Sequence, residues 1–357
     1  MDGGPPPGGG DLSTTLRTRP RGVVTPRWTP AGSSLGGRGQ SGAVSPRELV
    51  VLGTAGQAPT RTRNHNGYLL RWDGTSVLFD PGEGTQRQML HAEVSAPRIE
   101  RICVTHRHND HCLGVPGVLN RMAQDGPGRP VTLHGPDDAF EHLRALAVVA
   151  AAHVEVTVEG IPVRDEPVEV ARVAGARLSA RALDHRVPTV GYRLEEPAGR
   201  SFDAAALADA GITGPDVGEL QRRGELRGVR LADVSVERPG QVFGFVMDTR
   251  DHPAVVDLVR DADLAVLECT YSERHADLAR DRGHLTARQA GRAAARAGVR
   301  TLVLAHFSQR YPDLEELAAE ARAAVAELGG RTRVHLAHDL DVVPVPPRRS
   351  APARAAS

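Results

Sequence analysis

The amino-acid sequence predicts an α/β protein built in layers, and two observations support that prediction. Short apolar runs, which are typical of buried strands, alternate with longer Ala-rich segments of helical periodicity. Four of the runs are followed at once by a histidine or a carboxylate, namely His106, Asp248, Glu268 and His306. Because strand ends converge on one face of a layered α/β fold, residues far apart in sequence can meet there.

The first half of the chain alternates strands with helices. A buried strand is predicted at 49–53, and a turn at Asp73-Gly74 joins strands at 68–70 and 77–79. A Gly-rich turn at 80–86 leads into a helix. The elements expected next are a strand at 102–104, a helix at 116–122, a strand at 131–134 and a helix at 139–152.

The second half repeats this mixture around a polar insertion at about 199–232. The expected strands are 178–182, 191–194, 243–247, 264–267 and 301–305. Two amphipathic, Ala-rich helices are expected at about 286–297 and 313–328. No period typical of solenoid repeats is present.

Composition divides the chain into one large domain and two tails. Residues 1–46 are rich in Gly, Pro, Ser and Thr, cannot bury enough apolar surface to offset their ordering entropy, and are predicted to be a disordered extension. The folded domain is expected at 47–345. The Pro/Arg/Ala segment 346–357 is predicted to be a disordered tail.

Charge and cysteine content narrow the class of protein. The 44 basic and 44 acidic residues balance, so net charge alone indicates no polyanion-binding surface. The three cysteines form no CxxC pair, and no apolar run approaches the roughly 20 residues that span a bilayer. We therefore expect a cytoplasmic protein without a membrane segment.

The stretch from Thr105 to Gly114 holds three histidines and an aspartate within six positions, directly after a predicted strand. Imidazole nitrogen and carboxylate oxygen are the ligands that zinc and similar cations prefer. A structural zinc site would use paired thiolates, which this chain lacks. The stretch therefore predicts a catalytic metal site.

More candidate ligands are present than one tetrahedral ion requires. They are His106, His108, Asp110, His111, His185, Asp248 and His306. Such a set suits two divalent ions that share a carboxylate. Two divalent cations with two aspartates and a hydroxide leave a net positive site, which would attract a phosphodiester and stabilise its transition state. The ligands therefore predict hydrolysis of a phosphate ester.

These residues resemble the motifs of a known family. HxHxDH after a strand is the signature of the metallo-β-lactamase superfamily, and over about residues 48–345 the chain is similar to its ribonuclease Z branch, endonucleases that trim tRNA 3′ trailers. The other matching segments are Leu52-Gly53-Thr54, Phe79 to Gln86, Asp184-His185, Asp248-Thr249, His284-Leu285-Thr286 and Ala305 to Tyr311. The resemblance implies the metallo-β-lactamase fold, a four-layer αββα sandwich with an inserted flexible arm.

The resemblance also implies a role for each site residue. His106, His108 and His185 would hold one Zn²⁺; Asp110, His111 and His306 would hold the other; Asp248 would be shared. Mn²⁺ or Fe²⁺ could occupy the same ligands, and no organic cofactor is expected. Asp110 would also act as general base. His284, oriented by Glu268, would stabilise the transition state or protonate the leaving oxygen.

Two segments point to RNA as the substrate. The loop Pro59 to Asn64 resembles the family's PxKxRN loop, with Arg61 in place of the usual Lys, so Arg61, Arg63 and Asn64 are expected near the cleavage site. The insertion resembles the family's tRNA-gripping arm. From Arg222 to Arg230 it has four Arg against one Glu, which suits phosphate contacts by Arg222 and Arg223. Arg310 is a further candidate phosphate contact.

The sequence therefore predicts a zinc-dependent endoribonuclease that cuts precursor tRNA after the discriminator base and leaves a 3′-hydroxyl. A homodimer is expected because the family works as one. One alternative is a small-molecule hydrolase of the same fold, such as a phosphodiesterase, an arylsulfatase-like enzyme or a lactonase, which would not need the arm. A second is a non-catalytic RNA-binding subunit, which would not need the complete ligand set.

Overall fold

The computed structural model describes residues 13–16, 47–126, 129–150 and 154–349. Its strands are β1 (Ser13–Leu16), β2 (Glu48–Gly53), β3 (Gly67–Trp72), β4 (Thr75–Phe79), β5 (Ile99–Cys103), β6 (Val131–Pro136), β7 (Val156–Ile161), β8 (Val168–Val173), β9 (Ala176–Leu183), β10 (Thr189–Glu195), β11 (Gly199–Phe202), β12 (Glu225–Leu226), β13 (Val229–Arg230), β14 (Ser235–Arg238), β15 (Val242–Val246), β16 (Leu264–Glu268), β17 (Thr301–Ala305), β18 (Arg333–Leu336) and β19 (Val342–Pro344). Its α-helices are α1 (Thr85–His91), α2 (Asn109–Cys112), α3 (Val115–Gln124), α4 (Phe140–Ala150), α5 (Ala204–Asp209), α6 (Pro215–Arg223), α7 (Pro253–Leu258), α8 (Ala276–Arg282), α9 (Ala287–Arg296) and α10 (Glu315–Glu327).

Two large mixed sheets contain most of the strands. The first has eight strands in the order β1-β7-β6-β5-β4-β3-β2-β19, and the second has seven in the order β18-β17-β16-β15-β10-β9-β8. Strands β4 to β7 and β15 to β18 run parallel within their sheets. The inner parallel strands β4, β15, β16 and β17 are buried along their whole length, as expected where both faces of a sheet are covered.

The sheets face each other across an apolar core. Aromatic side chains from both sheets meet there, and the Phe79 ring stacks on that of Phe245 with centroids 4.7 Å apart. Residues of α1, α3 and α4 pack on the outer face of the first sheet. Residues of α7, α9 and α10 pack on that of the second. The predicted four-layer αββα sandwich is confirmed.

Small residues allow the closest helix contact. Helices α9 and α10 pack directly on each other, and a Cβ atom on Gly291 would lie 2.4 Å from the Ala321 carbonyl oxygen. Thr286 caps α9 through a capping box with Gln289. The capping residue Thr286 lies two residues after His284, so the cap fixes the start of α9 close to that histidine.

The predicted tails are ordered where the structure describes them. Within the extension 1–46, Ser13–Leu16 forms β1, which pairs antiparallel with β7 at the edge of the first sheet. A sheet edge offers unpaired backbone groups, which such a segment can satisfy. The rest of the predicted extension lies outside the described residues. Residues 346–349 of the predicted C-terminal tail contact the domain: the Pro346 carbonyl accepts a hydrogen bond from Gln241.

The insertion is a small folded unit. Strands β11 and β14 pair at its base, and β12 pairs with β13 at its tip. Helices α5 and α6 lie between these strands and share a core of Ile212, Leu220 and Val234. We call residues 199–238 the arm. Among the described residues, no helix has the length and apolar character that crossing a membrane requires.

Candidate metal centre and active site

The carboxyl ends of the central strands of both sheets meet at one edge of the sandwich. Asp80 follows β4, Asp248 lies just after β15, and His306 follows β17. Their φ angles are positive, at 43°, 44° and 59°, so the chain turns sharply where these strands end. Such strained conformations cluster at functional sites. The turns bring side chains from both sheets together.

All seven predicted ligands come together in two groups. The first group is His106, His108, His185 and Asp248, and the second is Asp110, His111 and His306. Within each group, one potential ligand atom per residue lies within 4.8 Å of the others. The division between the groups is the one that the resemblance implies.

Asp248 lies between the two groups. Its Oδ1 atom is 3.1 Å from His306 Nε2 and 3.5 Å from His111 Nε2. Its Oδ2 atom is 3.6 Å from His106 Nε2 and 3.7 Å from His185 Nε2. One carboxylate oxygen therefore faces each group, which is the arrangement that a shared ligand requires.

Hydrogen bonds at Nδ1 orient four of the imidazoles. His111 Nδ1 lies 2.8 Å from Asp80 Oδ2, and His185 Nδ1 lies 2.8 Å from the Gly283 carbonyl oxygen. Thr105 Oγ1 donates to Asp80 and lies 3.0 Å from His106 Nδ1. Thr270 Oγ1 donates to Glu268 and lies 2.7 Å from His306 Nδ1. Each Nδ1 therefore carries the proton, and each Nε2 lone pair faces the site.

The residues fit divalent cations. His185 Nε2, His306 Nε2 and Asp248 Oδ1 are buried and make no hydrogen bond within the described chain. Buried polar atoms without a partner are rare and costly. His106 Nε2 and His108 Nδ1 are 2.7 Å apart, a separation that needs a shared cation or proton between the two nitrogens. Bound metal ions would satisfy all of these atoms.

The electrostatics of the site agree with this fit. Burial holds the pKa of His106 well below its usual range and lowers that of His185, so both imidazoles are neutral, as metal ligands must be. Burial opposes charge on His111 as well, but the carboxylates of Asp110, Asp248 and Asp80 raise its pKa well above the ordinary value. Three carboxylates around one imidazole create a negative potential that divalent ions would neutralise.

His284 and Glu268 form a pair beside the metal centre. His284 Nδ1 lies 3.2 Å from Glu268 Oε1, and Glu268 is fully buried and held by the Thr249 backbone N–H at 2.7 Å. Burial opposes protonation of His284, but the charges of Glu268 and then Asp248 outweigh it and raise the pKa of His284 to about 9. At neutral pH this imidazole can therefore donate a proton.

Comparison with known proteins assigns the family. The family described as "Beta-lactamase superfamily domain" matches residues 75–307. The chain is 52% identical over 307 residues to a protein named ribonuclease Z from Streptomyces coelicolor, covering 86% of this chain and 100% of that protein. The chain belongs to the ribonuclease Z family. It is also 49% identical over 310 residues to ribonuclease Z from Salinispora arenicola, covering 86% of this chain and 98% of that one.

A solved structure supports the fold. The crystal structure of human tRNase Z, short form, matches with a TM-score of 0.60 at 24% identity, covering 84% of this chain and 99% of that chain. Membership of the ribonuclease Z family confirms the predicted enzyme class, a metal-dependent phosphodiester hydrolase. The fold and the His/Asp groups together indicate divalent-metal binding.

The ribonuclease Z site opens into a cleft of about 1140 Å³. His108, Asp110, Asp248, His284 and His306 line its floor. Its arginines are Arg107, Arg186, Arg282 and Arg310. Arg107 also pairs with Asp138 at 3.0 Å. The sequence pattern identifies Arg310 but not Arg186 or Arg282, because neither belongs to a motif that indicates a phosphate contact.

The predicted substrate contacts of the loop 59–64 separate into two kinds. The Arg63 guanidinium donates to the carbonyls of Tyr311 and Ser308 at 3.1 and 3.3 Å. The Asn64 side chain donates to the Glu83 carbonyl at 2.9 Å. The side chains of Arg63 and Asn64 therefore hold the loop against the domain. Of the three predicted contacts, Arg61, Arg63 and Asn64, only Arg61 is exposed.

Neighbouring carboxylates neutralise much of the arm's predicted positive charge. Arg223 pairs with Glu219, Arg227 with Asp216 and Arg230 with Asp233. The count from Arg222 to Arg230 missed these acids because all three lie outside that window. Arg222 is exposed.

Residues that orient the ligands were not predicted as part of the site. Asp80 follows a strand just as Asp248 does, so the same strand-end pattern could have identified it. Thr105 and Thr270 carry no comparable signal, because a hydroxyl beside a ligand is common in any sequence. Their role is visible only once the imidazoles they contact are in place.

Proposed function

We propose that this member of the ribonuclease Z family removes 3′ trailers from precursor tRNA, cutting after the discriminator base with two Zn²⁺ ions per subunit. The single observation that supports the proposal most strongly is Asp248, whose two oxygens face two separate groups of ligands. His106, His108 and His185 would hold one ion, and Asp110, His111 and His306 the other. Mn²⁺ or Fe²⁺ suits the same ligands.

Bound ions would withdraw charge from the scissile phosphate and lower the pKa of a water molecule toward neutrality. Asp110 suits the role of general base for that water. Burial alone would raise its pKa, but the neighbouring imidazoles of His111 and His306 hold the pKa of this carboxyl well below its usual range. Asp110 is therefore ionised at neutral pH and can accept a proton.

His284 suits the role of general acid. Attack by water forms a new P–O bond and breaks the bond from phosphorus to the 3′ oxygen of the discriminator nucleotide. His284 would protonate that leaving oxygen, giving a tRNA 3′-hydroxyl and a trailer with a 5′-phosphate. Glu268 fixes the imidazole and supports its charged form.

Substrate binding would use positive charge around the cleft and on the arm. Arg310 is exposed in the cleft, Arg61 on the loop 59–64 and Arg222 on the arm, where phosphate oxygens can reach them. Arg223 is exposed too, but shares its charge with Glu219. The relatives named ribonuclease Z and the human tRNase Z fold support a tRNA substrate.

We propose a homodimer, in which one subunit's arm holds tRNA cut by the other, and a cytoplasmic location. Three free, buried cysteines support the location, since a reducing compartment keeps thiols unpaired. Light scattering of the purified protein with and without tRNA tests the dimer: a single-subunit mass at micromolar concentration in both samples would contradict it.

Replacing the arm tests the substrate. Residues 199–238 are exchanged for a two-residue turn, since the flanking strands β10 and β15 pair antiparallel with each other. We expect kcat/KM on precursor tRNA to fall at least about tenfold, because backbone contacts supply much of nucleic-acid affinity. Hydrolysis of bis-p-nitrophenyl phosphate should be unchanged, since the metal centre is untouched.

Other outcomes would favour the alternatives. Full precursor tRNA cleavage without the arm would contradict the tRNA-binding role of residues 199–238. Hydrolysis of small phosphodiesters with no cleavage of precursor tRNA by the parent protein would favour the small-molecule hydrolase. Less than one metal ion per chain and no hydrolysis of either substrate would favour a non-catalytic RNA-binding subunit.

A further inference from the structure

The arm continues a pair of strands of the second sheet. In the pair β10–β15, Glu195 lies opposite Val242, and at the base of the arm Gly199 lies opposite Arg238. Both strands advance by four residues between these pairs, so the register is unbroken. The sheet and the arm are therefore one long antiparallel ribbon with an interruption in its ladder.

Two prolines lie at that interruption. In this register Pro197 falls opposite Gly240, and Pro239 falls opposite Ala198. Neither proline has a backbone N–H to donate, so the ladder loses two donors at adjacent pairs. The strands also approach closely, because a Cβ on Gly240 would lie 1.9 Å from the Glu196 carbonyl oxygen. We call this break in the ladder, between the sheet and the arm, the hinge.

A cluster of charged and polar side chains holds the sheet side of this hinge. Gln241 donates its backbone N–H to Glu196 Oε2 at 3.0 Å, and Glu196 donates its own to the Gln241 carbonyl at 2.9 Å. Arg47 donates to Glu196 Oε2 and to Gln241 Oε1, both at 2.9 Å. Arg348 pairs with the same Glu196 oxygen. One carboxylate therefore receives donors from three segments of the chain.

The C-terminal segment is part of this cluster. The Gln241 side chain donates to the Pro346 carbonyl at 2.6 Å, and Val345 donates its backbone N–H to the Arg47 carbonyl at 2.9 Å. The Arg47 guanidinium lies 4.1 Å from the centre of the Trp72 ring. Its side chain is only 9% exposed, so the anchor of the cluster is rigid.

We infer that Glu196, Gln241, Arg47 and Arg348 form a clasp that sets the direction of the arm at its proline hinge. Arg348 and Glu196 are thus positioning residues that act through the arm. Among the described residues, neither side chain forms a hydrogen bond or an ion pair with a predicted metal ligand. That the positioned arm guides precursor tRNA rests on the function proposed above.

The test compares Arg348→Ala and Glu196→Gln with a control from the same segment. Arg349→Ala is the control, because Arg349 donates to the Asp261 carbonyl and not to the base of the arm. Both clasp variants should raise KM for precursor tRNA about threefold to tenfold with kcat changed less than about twofold. Hydrolysis of bis-p-nitrophenyl phosphate should be unchanged in all three. Arg348→Lys, which keeps the charge, should recover part of the loss.

Hydrogen exchange gives a readout that does not depend on the substrate. Backbone amides of β11 and β14 should exchange faster in Arg348→Ala than in the parent, while Arg349→Ala should match the parent. Unchanged exchange and unchanged KM in both clasp variants would overturn the inference. Equal loss of both activities with a lowered melting temperature would also overturn it, because the cluster would then be a general stabiliser. If the parent does not cut precursor tRNA, the proposed function fails, and the exchange data alone decide on the clasp.

Discussion

Two threonines orient ligands of the metal centre in the same way. Thr105 donates to Asp80 and accepts from His106, and Thr270 donates to Glu268 and accepts from His306. In each case the hydroxyl donates its hydrogen bond to a buried carboxylate, so the hydroxyl oxygen can only accept a hydrogen bond from the imidazole. The tautomer of each histidine is therefore set before any metal binds.

The position of His284 alone does not decide between a general acid and a metal ligand, because its ring also lies near Asp248 and His306. If it is the general acid, His284→Ala should lower kcat on precursor tRNA about 10²- to 10⁴-fold. Metal content by mass spectrometry should stay at the parent level. His91→Ala, at an exposed position on α1, is the control. Loss of metal from His284→Ala would show instead that this histidine is a ligand.

Asp80 fixes His111 without facing the cleft. Asp80→Asn removes the charge that holds the Nδ1 proton of His111, and we expect metal affinity to fall about 10- to 100-fold. Competition with a chromogenic chelator measures this change. Asp277→Asn, whose side chain is 88% exposed, controls for the substitution itself. An affinity equal to that of the parent would contradict the orienting role.

At the scale of elements, the ends of strands carry the chemistry. Strands β4, β15 and β17 each lead to a residue with positive φ, and these residues are one orienting carboxylate, the proposed shared ligand and one further proposed ligand. The rigid, fully buried strands behind them hold the site in place. The proline hinge, by contrast, lies at the end of the β10–β15 strand pair that is opposite to Asp248.

The clasp gives a pH dependence to stability. Burial opposes the charge of Glu196, but hydrogen bonds from Arg47 and Arg348 lower its pKa from 4.5 to about 2. A lowered folded-state pKa stabilises the fold fully above pH 4.5, and this contribution is lost as the pH falls toward 2. Because the side chains of Glu196 and Arg348 are partly exposed, we expect this contribution to the free energy of unfolding to be about 1 kcal/mol.

Urea unfolding of the parent and of Glu196→Gln at pH 6 and pH 3 measures that contribution. The difference between the two proteins should be present at pH 6 and smaller at pH 3. Glu237→Gln, at a side chain that is 84% exposed, should show no difference at either pH. A difference that grows as the pH falls would contradict the assigned pKa direction.

The central strands, and the seven candidate ligands that the structure brings together, could be predicted from the sequence because both depend on local pattern. Apolar runs such as 264–267 and 301–305 are buried strands in any layered fold, and the polar residue after each run marks its end. Strands β7 and β8 and the short helix α7 were not predicted. Both strands begin by alternating apolar and polar residues, so a period of two could have identified them, whereas α7 has only six residues and is too short to show a helical period.

Contacts between distant residues could not be predicted in the same way. The pairing of Arg63 with the Ser308 carbonyl, of Arg223 with Glu219 and of Arg348 with Glu196 depends on side-chain directions that only the folded chain defines. This is why the sequence predicts a more positive arm than the structure shows and does not predict the contacts of residues 346–349.

At the scale of the whole molecule, the metal centre belongs to neither sheet alone. The first sheet supplies His106, His108, Asp110 and His111, and the second supplies His185, Asp248 and His306. Each ligand group therefore combines residues of both sheets, and the aromatic core between the sheets holds those residues at a fixed distance within each group. Removal of bound metal should lower the melting temperature, because the carboxylates of the site would lose the cations that neutralise them.

The central claim is that this two-group site cuts precursor tRNA. The most direct test incubates the protein with a trailer-bearing precursor tRNA, with and without chelator, and maps the cut to the nucleotide. We expect one cut after the discriminator base, a 3′-hydroxyl on the tRNA, loss of cleavage with chelator and recovery on adding Zn²⁺. Cleavage at scattered positions, or full cleavage in chelator, would contradict it.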